Sequence, residues 1–240
     1  LYTDLKTAEL IKYAGNAFLA VKISYINQMA DLCEKVGADV HDVSKGIGLD
    51  KRIGSKFLHP GPGYGGSCFP KDTQALVKTA NDYGSNISIV ENVINFNAQR
   101  KIDMAEKIIS SLGKNYSNKK VSILGLAFKP ETDDMREAPS INLIRSINSA
   151  GGTVHAYDPK ATEEAKYYLK GMNVTYFSDK YTSLNKVDAL ILVTEWKEFR
   201  SPDFSLIKSK MAGNLFIDGR NQFKADVMNQ LGFKYLQIGV

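Results

Sequence analysis

A glycine-rich segment that ends in a cysteine is the part of the sequence best suited to covalent chemistry. Cys68 follows Gly65-Gly66-Ser67 and stands just before Lys71 and Asp72. Glycine-rich backbone can wrap closely around a ligand, and a nearby cation or a helix N-terminus stabilises the reactive thiolate form of cysteine. We therefore expect Cys68 to be a reactive thiol. Cys33 lies inside a helical pattern and is expected to be a small buried thiol.

Two further groups could assist at or near a ligand. Lys12 and Asn16 are four residues apart, which places them on one face of a helix, although such a pair is most often a solvated stripe. Lys129 follows a strand that runs into a turn at Gly125, and Asp158 closes the next strand. The turn lacks the second and third glycines of a dinucleotide-binding loop. Lys129 could still neutralise a phosphate there, or it could be a surface lysine.

The elements that must position these residues divide into two halves. Helical spacing is found over residues 7–37, with Thr7 as the predicted N-cap and Gly37 as a stop, and over 40–47, 72–83 and 89–112. β-Branched runs follow at residues 121–124, 153–157, 174–177, 189–193, 215–217 and 235–238, separated by helices. The fold class is therefore α/β: an all-helical domain, residues 1–115, followed by a Rossmann-like, doubly wound parallel sheet, residues 116–240.

The composition excludes several classes of protein. The chain has 240 residues, 43% hydrophobic and 24% charged, and a net charge of +5 that is scattered along its length. No concentrated basic segment predicts nucleic acid binding, and no apolar run approaches the roughly 20 residues that cross a membrane. The first residues, LYTDLK, also lack the basic-then-apolar order of a signal peptide, so a cytoplasmic protein is expected. Two cysteines cannot form a disulfide framework. No metal site is expected, because His41, His59 and His155 lack ligand partners at suitable spacing.

Five segments together resemble the UDP-glucose 6-dehydrogenases. They are KYAGNAFLA at 12–20, RIGSKFL at 52–58, GYGGSCFPKD at 63–72, GLAFK at 125–129 and DGR at 218–220. They span almost the whole chain in the order that the family has. The resemblance covers the family's central helical domain and its UDP-binding domain, so we expect that the N-terminal NAD-binding domain is absent from this sequence.

The resemblance implies a reaction in which NAD accepts two successive hydrides from C6 of UDP-glucose. The Cys68 thiolate would capture the intermediate aldehyde as a thiohemiacetal, and after the second oxidation the resulting thioester would be hydrolysed. Lys12 and Asn16 would stabilise the negative charge that develops on oxygen, and Asp72 would assist with the water or the proton. A chain without the NAD domain is expected to bind the nucleotide sugar without turnover.

The resemblance also implies the binding residues. The substrate contacts would be Phe57, Leu58, His59, Pro60, Gly61, Tyr64 and Gly65, with Phe128, Lys129 and Arg220 on the UDP side. Lys71 and Arg136 would touch NAD. Arg52 would reach the sugar bound by a neighbouring subunit, so a homodimer through the helical domain is expected. Two alternatives stay open: a dehydrogenase of another nucleotide sugar (GDP-mannose or a UDP-N-acetylhexosamine), and a non-catalytic nucleotide-sugar-binding and dimerisation module.

Overall fold

The first part of the chain is helical in the computed structural model, which describes residues 1–113 and 117–240. The helices are α1 (Leu5–Val36), α2 (Val40–Gly48), α3 (Phe69–Asp82) and α4 (Ser88–Ser111). Helix α1 ends as predicted at Gly37, which adopts the left-handed conformation with φ 74°. Its predicted N-cap was wrong: Asp4 caps the helix by accepting a hydrogen bond from the Thr7 amide at 3.0 Å.

The segment between α2 and α3 has no helix or strand, as its glycines predict. Helix α3 begins at Phe69, three residues before the predicted start, because Pro70 is well suited to a first helical turn. Helix α1 packs against α3 and α4 through two small clusters, one containing Ala17, Leu76 and Val90 and the other Ala20, Tyr64 and Val93. This packing places the start of α3 beside α1.

The second part of the chain forms a parallel sheet of six strands, which confirms the predicted α/β class. The strands are β1 (Lys120–Leu124), β2 (Thr153–Tyr157), β3 (Val174–Tyr176), β4 (Ala189–Leu192), β5 (Leu215–Asp218) and β6 (Lys234–Leu236). Their order is β3-β2-β1-β4-β5-β6, so the direction of winding reverses between β1 and β4. Ligands in this type of sheet bind at the carboxyl ends of the strands near that reversal.

Helices and apolar side chains cover both faces of the sheet. The helices between and after the strands are α5 (Pro139–Ser149), α6 (Thr162–Tyr168), α7 (Phe204–Lys210) and α8 (Ala225–Gln230). Alternation along β5 sends Leu215 and Ile217 into one core cluster and Phe216 into the other. Burial on both faces explains why β4 and β5 are nearly continuous apolar runs, whereas β2 alternates between buried and partly exposed residues.

The chain divides into two compact units. The helical unit contains residues 1–100 together with Gly239 and Val240, and the sheet unit contains residues 101–238. Gly239 belongs to the helical unit because its carbonyl accepts from the Val40 amide at 3.0 Å and its amide donates to Glu34 at 2.7 Å. The predicted boundary between residues 115 and 116 falls outside the described residues.

Candidate active site

A buried carboxylate holds two of the predicted catalytic side chains in the helical unit. Asp72 lies in the first turn of α3 and has no exposed side-chain surface. Its Oδ2 accepts a hydrogen bond from Asn16 Nδ2 at 2.6 Å and lies 3.3 Å from Lys12 Nζ. Lys12 and Asn16 therefore share one face of α1, as their spacing predicts. Lys71 Nζ lies 3.4 Å from the other oxygen, Oδ1.

These contacts keep Asp72 ionised. Burial by itself would raise the pKa of Asp72, but the hydrogen bond from Asn16 and the nearby ammonium groups of Lys12 and Lys71 outweigh it, so the pKa lies below its ordinary value of 3.8. A carboxylate of this kind is a strong hydrogen-bond acceptor and a weak base at neutral pH. It can orient the Lys12 ammonium and the Asn16 amide without taking their protons.

Cys68 is exposed and stands immediately before the first residue of α3. The Asp72 amide donates to the Cys68 carbonyl at 2.8 Å, so the first helical turn fixes the spacing between the two residues. Cys68 Sγ lies 3.8 Å from Ser67 Oγ. Cys33 is only 4% exposed, which confirms that it is a buried thiol. An exposed thiol one turn from a cluster of hydrogen-bond donors can act as a nucleophile.

The predicted substrate segment of the helical unit lies mostly buried before α3. Phe57 has φ 64°, and its ring packs at 6.2 Å against Phe69, which also contacts Tyr64 at 5.8 Å. Burial raises the pKa of Tyr64 to about 12, so its hydroxyl stays protonated at neutral pH. Leu58 is buried, and its carbonyl accepts from Ser44 Oγ at 2.6 Å. Pro60, Gly61 and Gly65 are buried, whereas His59 is exposed.

Buried polar side chains that sequence reasoning missed hold this segment. Asn27 accepts from the Gly61 amide, and Asn97 makes hydrogen bonds to both the amide and the carbonyl of Tyr64. Arg100 Nε donates to the Gly61 carbonyl at 3.2 Å. The sequence carries no local signal for them, because their partners are backbone groups of a loop that is distant in sequence. In the part of the chain that the structure describes, the amides of Gly63, Gly65 and Gly66 have no hydrogen-bond partner.

The turn after β1 in the sheet unit is closed tightly. Gly125 has φ 87°, and a Cβ atom there would lie 2.5 Å from the Thr194 Cβ. Asp158 Oδ2 accepts from the amides of Leu126 and Ala127 and from the Trp196 indole N–H. In a dinucleotide site the corresponding acid binds the ribose of the cofactor. The turn at Gly125 does not fit NAD for two reasons. Asp158 already accepts hydrogen bonds from the turn amides, and Thr194 fills the space beside Gly125.

Arg220 and Phe128 meet at the reversal point of the sheet. Arg220 Nε donates to the Val193 carbonyl at 2.6 Å and lies 3.0 Å from Glu195 Oε2, while Nη2 donates to the Phe128 carbonyl at 3.4 Å. Lys129 Nζ is exposed and lies 5.3 Å from the centre of the Phe128 ring. Two cations at the carboxyl edge of a parallel sheet are suited to a diphosphate.

The Asp218 carboxylate fixes the backbone that carries Arg220. It accepts hydrogen bonds from the amides of Arg220, Gln222 and Phe223 and from the Tyr235 hydroxyl, the last at 2.6 Å. Burial raises the pKa of Asp218, and these hydrogen bonds oppose the rise. The turn after β5 is therefore organised before any ligand arrives.

The remaining predicted residues make local ion pairs. Arg52 binds both carboxylate oxygens of Asp50 and is largely exposed, and Arg136 binds Asp134 in the same two-pronged way. The structure does not bring Arg52 into the Asp72 cluster of its own chain. Over residues 1–113 and 117–240, no three His, Cys, Asp or Glu side chains are grouped to hold a metal ion. Within the same ranges, no helix is long and apolar enough to cross a membrane.

Comparison with known proteins gives relatives over the whole chain. A UDP-glucose 6-dehydrogenase of Rhizobium meliloti is 51% identical over 239 residues, which cover 100% of this chain and 54% of that protein. The structure of a UDP-glucose dehydrogenase from Pyrobaculum islandicum has a TM-score of 0.84 at 35% identity, covering 97% of this chain and 51% of that one. The chain thus spans about half the length of these relatives.

A relative named for a different sugar also shares the fold. The structure of a UDP-D-ManNAc dehydrogenase from Pyrococcus horikoshii has a TM-score of 0.80 at 26% identity, covering 99% of this chain and 53% of that one. Two family models match the chain, the central domain of the UDP-glucose/GDP-mannose dehydrogenase family at residues 6–99 and its UDP-binding domain at residues 122–225. The chain therefore belongs to the UDP-glucose/GDP-mannose dehydrogenase family.

Proposed function

We propose that this chain supplies the catalytic thiol and the nucleotide-sugar contacts of an NAD-dependent UDP-glucose 6-dehydrogenase, which makes UDP-glucuronate. The observation that carries the proposal is the exposed Cys68, one helical turn from the buried Asp72 that holds Lys12 and Asn16. The named relatives support the choice of UDP-glucose, since the Rhizobium meliloti protein is 51% identical over the whole chain.

Each oxidation of C6 requires a hydride acceptor, for which the family resemblance implies NAD, with Lys71 and Arg136 as contacts. The residues of this chain act on C6 itself and on the oxygen attached to it. The Cys68 thiolate adds to the aldehyde carbon, and the electron pair of the C=O bond moves to oxygen. Lys12 and Asn16 donate hydrogen bonds to that oxygen, and loss of one such donor typically costs about 10² to 10³ in rate. Loss of the second hydride from C6 to the acceptor, with re-formation of the C=O bond, gives the thioester. Water then adds to the thioester carbon, its protons pass to solvent, and the C–S bond breaks as the Cys68 thiolate leaves.

Asp72 acts in this scheme as a fixed anion. Because its pKa is lowered, it remains a carboxylate while Lys12 and Asn16 donate to the reacting oxygen. It orients both donors and balances the charge of Lys12. In the sheet unit, Lys129 and Arg220 neutralise the diphosphate of the nucleotide. In the helical unit, the amides of Gly63, Gly65 and Gly66, which have no partner among residues 1–113 and 117–240, provide further donors to substrate oxygens.

Calorimetry on the 240-residue chain tests the proposal. UDP-glucose should bind more tightly than GDP-mannose or UDP-N-acetylglucosamine. Arg220→Lys should weaken binding about tenfold or more, because lysine cannot replace the guanidinium fork that contacts Val193 and Phe128. Arg145→Lys, an exposed arginine of α5, is the matched control and should bind as the wild type does. Absence of UDP-glucose binding, or an Arg220→Lys variant with unchanged affinity, would contradict the proposal.

The same chain should produce no NADH from UDP-glucose and NAD. The turn at Gly125 does not fit a dinucleotide, because Asp158 is already bound by the turn and Thr194 fills the space. Steady NADH formation by this chain alone would contradict this prediction. It would mean that the chain binds NAD at residues other than those of the Gly125 turn.

A second candidate is a dehydrogenase of an N-acetylated UDP-sugar. The observation that favours it is the TM-score of 0.80 with the Pyrococcus horikoshii protein named as a UDP-D-ManNAc dehydrogenase. Tighter binding of a UDP-N-acetylhexosamine in the calorimetric series would select this candidate. A non-catalytic binding module would instead bind UDP-glucose but fail to form a covalent adduct at Cys68 during turnover by the enzyme joined to an NAD domain.

We also propose that two copies associate through α1. An apolar stripe lies along this helix at intervals of seven residues, and each member is about half exposed or more: Ile11, Phe18, Tyr25 and Leu32. A regular exposed stripe of this kind is typical of a helix that packs against a partner. Light scattering should give twice the mass of one chain, and Phe18→Glu should reduce it to a monomer. A monomeric wild type at micromolar concentration would contradict this assembly.

A further inference from the structure

The segment from Pro60 to Gly66 is a loop of seven consecutive buried residues. Buried backbone amides and carbonyls need hydrogen-bond partners, and secondary structure usually supplies them. Here no backbone-to-backbone hydrogen bond reaches these residues within the described ranges. Something other than a helix or a sheet must therefore hold the loop in place.

Three buried side chains from two helices do so, at two points of the loop. At Gly61, Asn27 of α1 accepts from the amide at 2.8 Å, and Arg100 of α4 donates to the carbonyl at 3.2 Å. At Tyr64, Asn97 of α4 accepts from the amide at 2.8 Å and donates to the carbonyl at 3.0 Å. The backbone groups of both residues are thus fully paired.

Each of these side chains is itself fixed. Asn27 is 1% exposed, Asn97 is 6% exposed and Arg100 is 2% exposed. Arg100 also forms an ion pair with Asp31 of α1, so its charge is compensated inside the helical unit. Side chains whose rotamers are fixed by packing on rigid helices position a loop more accurately than side chains of another loop would.

We propose that Asn27, Asn97 and Arg100 are positioning residues that preorganise the substrate loop of this enzyme. The proposal rests on the proposed function, because Gly61 and Tyr64 belong to the expected substrate contacts. The three side chains take up the hydrogen bonds of these two residues, and the amides of Gly63, Gly65 and Gly66 remain without a partner among the described residues, as donors available to a ligand. A loop ordered in advance loses less conformational freedom on binding.

A purely structural role predicts a different outcome. If the three side chains only stabilise the fold, their removal should lower the melting temperature and leave the affinity of the folded fraction for UDP-glucose unchanged. If they preorganise the loop, removal should change two local properties: the hydrogen exchange of the loop without ligand, and the affinity for UDP-glucose.

The test uses the 240-residue chain with Asn97→Ala and, on the other helix, Asn27→Ala. Asn92→Ala is the matched control, because Asn92 is an exposed asparagine of α4 whose side chain donates to the Ser88 carbonyl of its own helix. Exchange is measured by mass spectrometry on peptides that contain residues 60–66, without ligand. Affinity for UDP-glucose is measured by calorimetry under conditions in which circular dichroism shows each variant folded.

We expect Asn97→Ala to speed exchange of the loop amides at least about tenfold and to weaken UDP-glucose binding about tenfold or more, because the Tyr64 amide and carbonyl lose both partners. Asn27→Ala should have a smaller effect of the same kind, since it removes one hydrogen bond. The Arg100→Lys variant keeps a charge beside Asp31 and should retain more affinity than Arg100→Leu.

Unchanged loop exchange in both asparagine variants would overturn the proposal. Faster exchange with unchanged UDP-glucose affinity would also overturn it, because the loop would then be held without consequence for the ligand. Failure of the wild-type chain to bind UDP-glucose would refute the proposed function, and with it the substrate part of this inference. The ligand-free exchange experiment would still decide whether the side chains hold the loop. If one variant does not fold, the variant on the other helix supplies the same comparison.

Discussion

Replacing Asp72 with asparagine removes one charge and keeps the shape of the cluster. The side-chain oxygen of the introduced asparagine could still accept from Asn16, so the 2.6 Å hydrogen bond would change from a charge-assisted to a neutral one. Such a change lowers the contribution of that bond to stability by about 1 kcal/mol. The contacts of Asp72 with Lys12 and Lys71 would also be lost.

Those two ion pairs add little, because the lysine side chains are 58% and 69% exposed and water screens them. Together they contribute no more than about 1 kcal/mol. Removing a buried charge also removes its desolvation cost, which offsets part of the loss. We therefore expect Asp72→Asn to lower the free energy of unfolding by about 1 kcal/mol at neutral pH, as measured by urea denaturation followed by circular dichroism.

The pH dependence gives the sharper test. Because the folded-state pKa of Asp72 is lowered below 3.8, its stabilisation is fully present above that value and is lost as the pH falls through the folded-state pKa. The difference between the wild type and Asp72→Asn should therefore shrink in acid. Asp82→Asn removes an exposed acid of the same helix that pairs with Lys78, and should cost less than about 0.5 kcal/mol. A difference that stays constant in acid, or a variant more stable than the wild type at neutral pH, would refute the argument.

Two further predictions concern packing and reactivity. Gly125→Ala should cost roughly 3 kcal/mol or more in unfolding free energy, since φ is 87° and the added Cβ would lie 2.5 Å from Thr194, whereas Gly84→Ala, with φ 67° and nothing within 4 Å, should cost about 1 kcal/mol. Equal losses would contradict the packing argument. Iodoacetamide should label the exposed Cys68 in the native chain long before the buried Cys33, as measured by peptide mapping. Equal labelling of the two cysteines would contradict the prediction that Cys68 is the accessible, reactive thiol.

Local patterns predicted the elements well, because each depends on residues close in sequence. All six strands lie within one or two residues of their predicted bounds. The N-cap of α1 was misplaced because Asp4 and Thr7 are both good capping residues and stand three apart. Helix α3 begins three residues earlier than predicted. The glycine-rich segment favoured a loop that extends to residue 71, although Pro70 is well suited to a first helical turn.

The site was predictable where spacing or resemblance applied and not where distant segments meet. The spacing of Lys12 and Asn16 predicts a shared face, but nothing local indicates that Asp72 would be their common partner. Asn27 and Asn97 look like ordinary polar positions of long helices. Their role depends on a loop that lies between them in sequence and that makes no backbone-to-backbone hydrogen bonds within the described residues. Only the folded chain shows which amides and carbonyls of that loop need a side-chain partner.

The return of Gly239 to the helical unit has a consequence for the order of folding. The Val40 amide at the start of α2 is paired with the Gly239 carbonyl, so this contact cannot form until residue 239 has been synthesised. Closing a loop over the unfolded intervening segment from residue 101 to residue 238 would cost about 4 kcal/mol of chain entropy. A sheet unit that has already folded fixes the distance between its own ends and removes most of that cost. We therefore expect the sheet unit to fold first and the contact between Val40 and Gly239 in the helical unit to form afterwards.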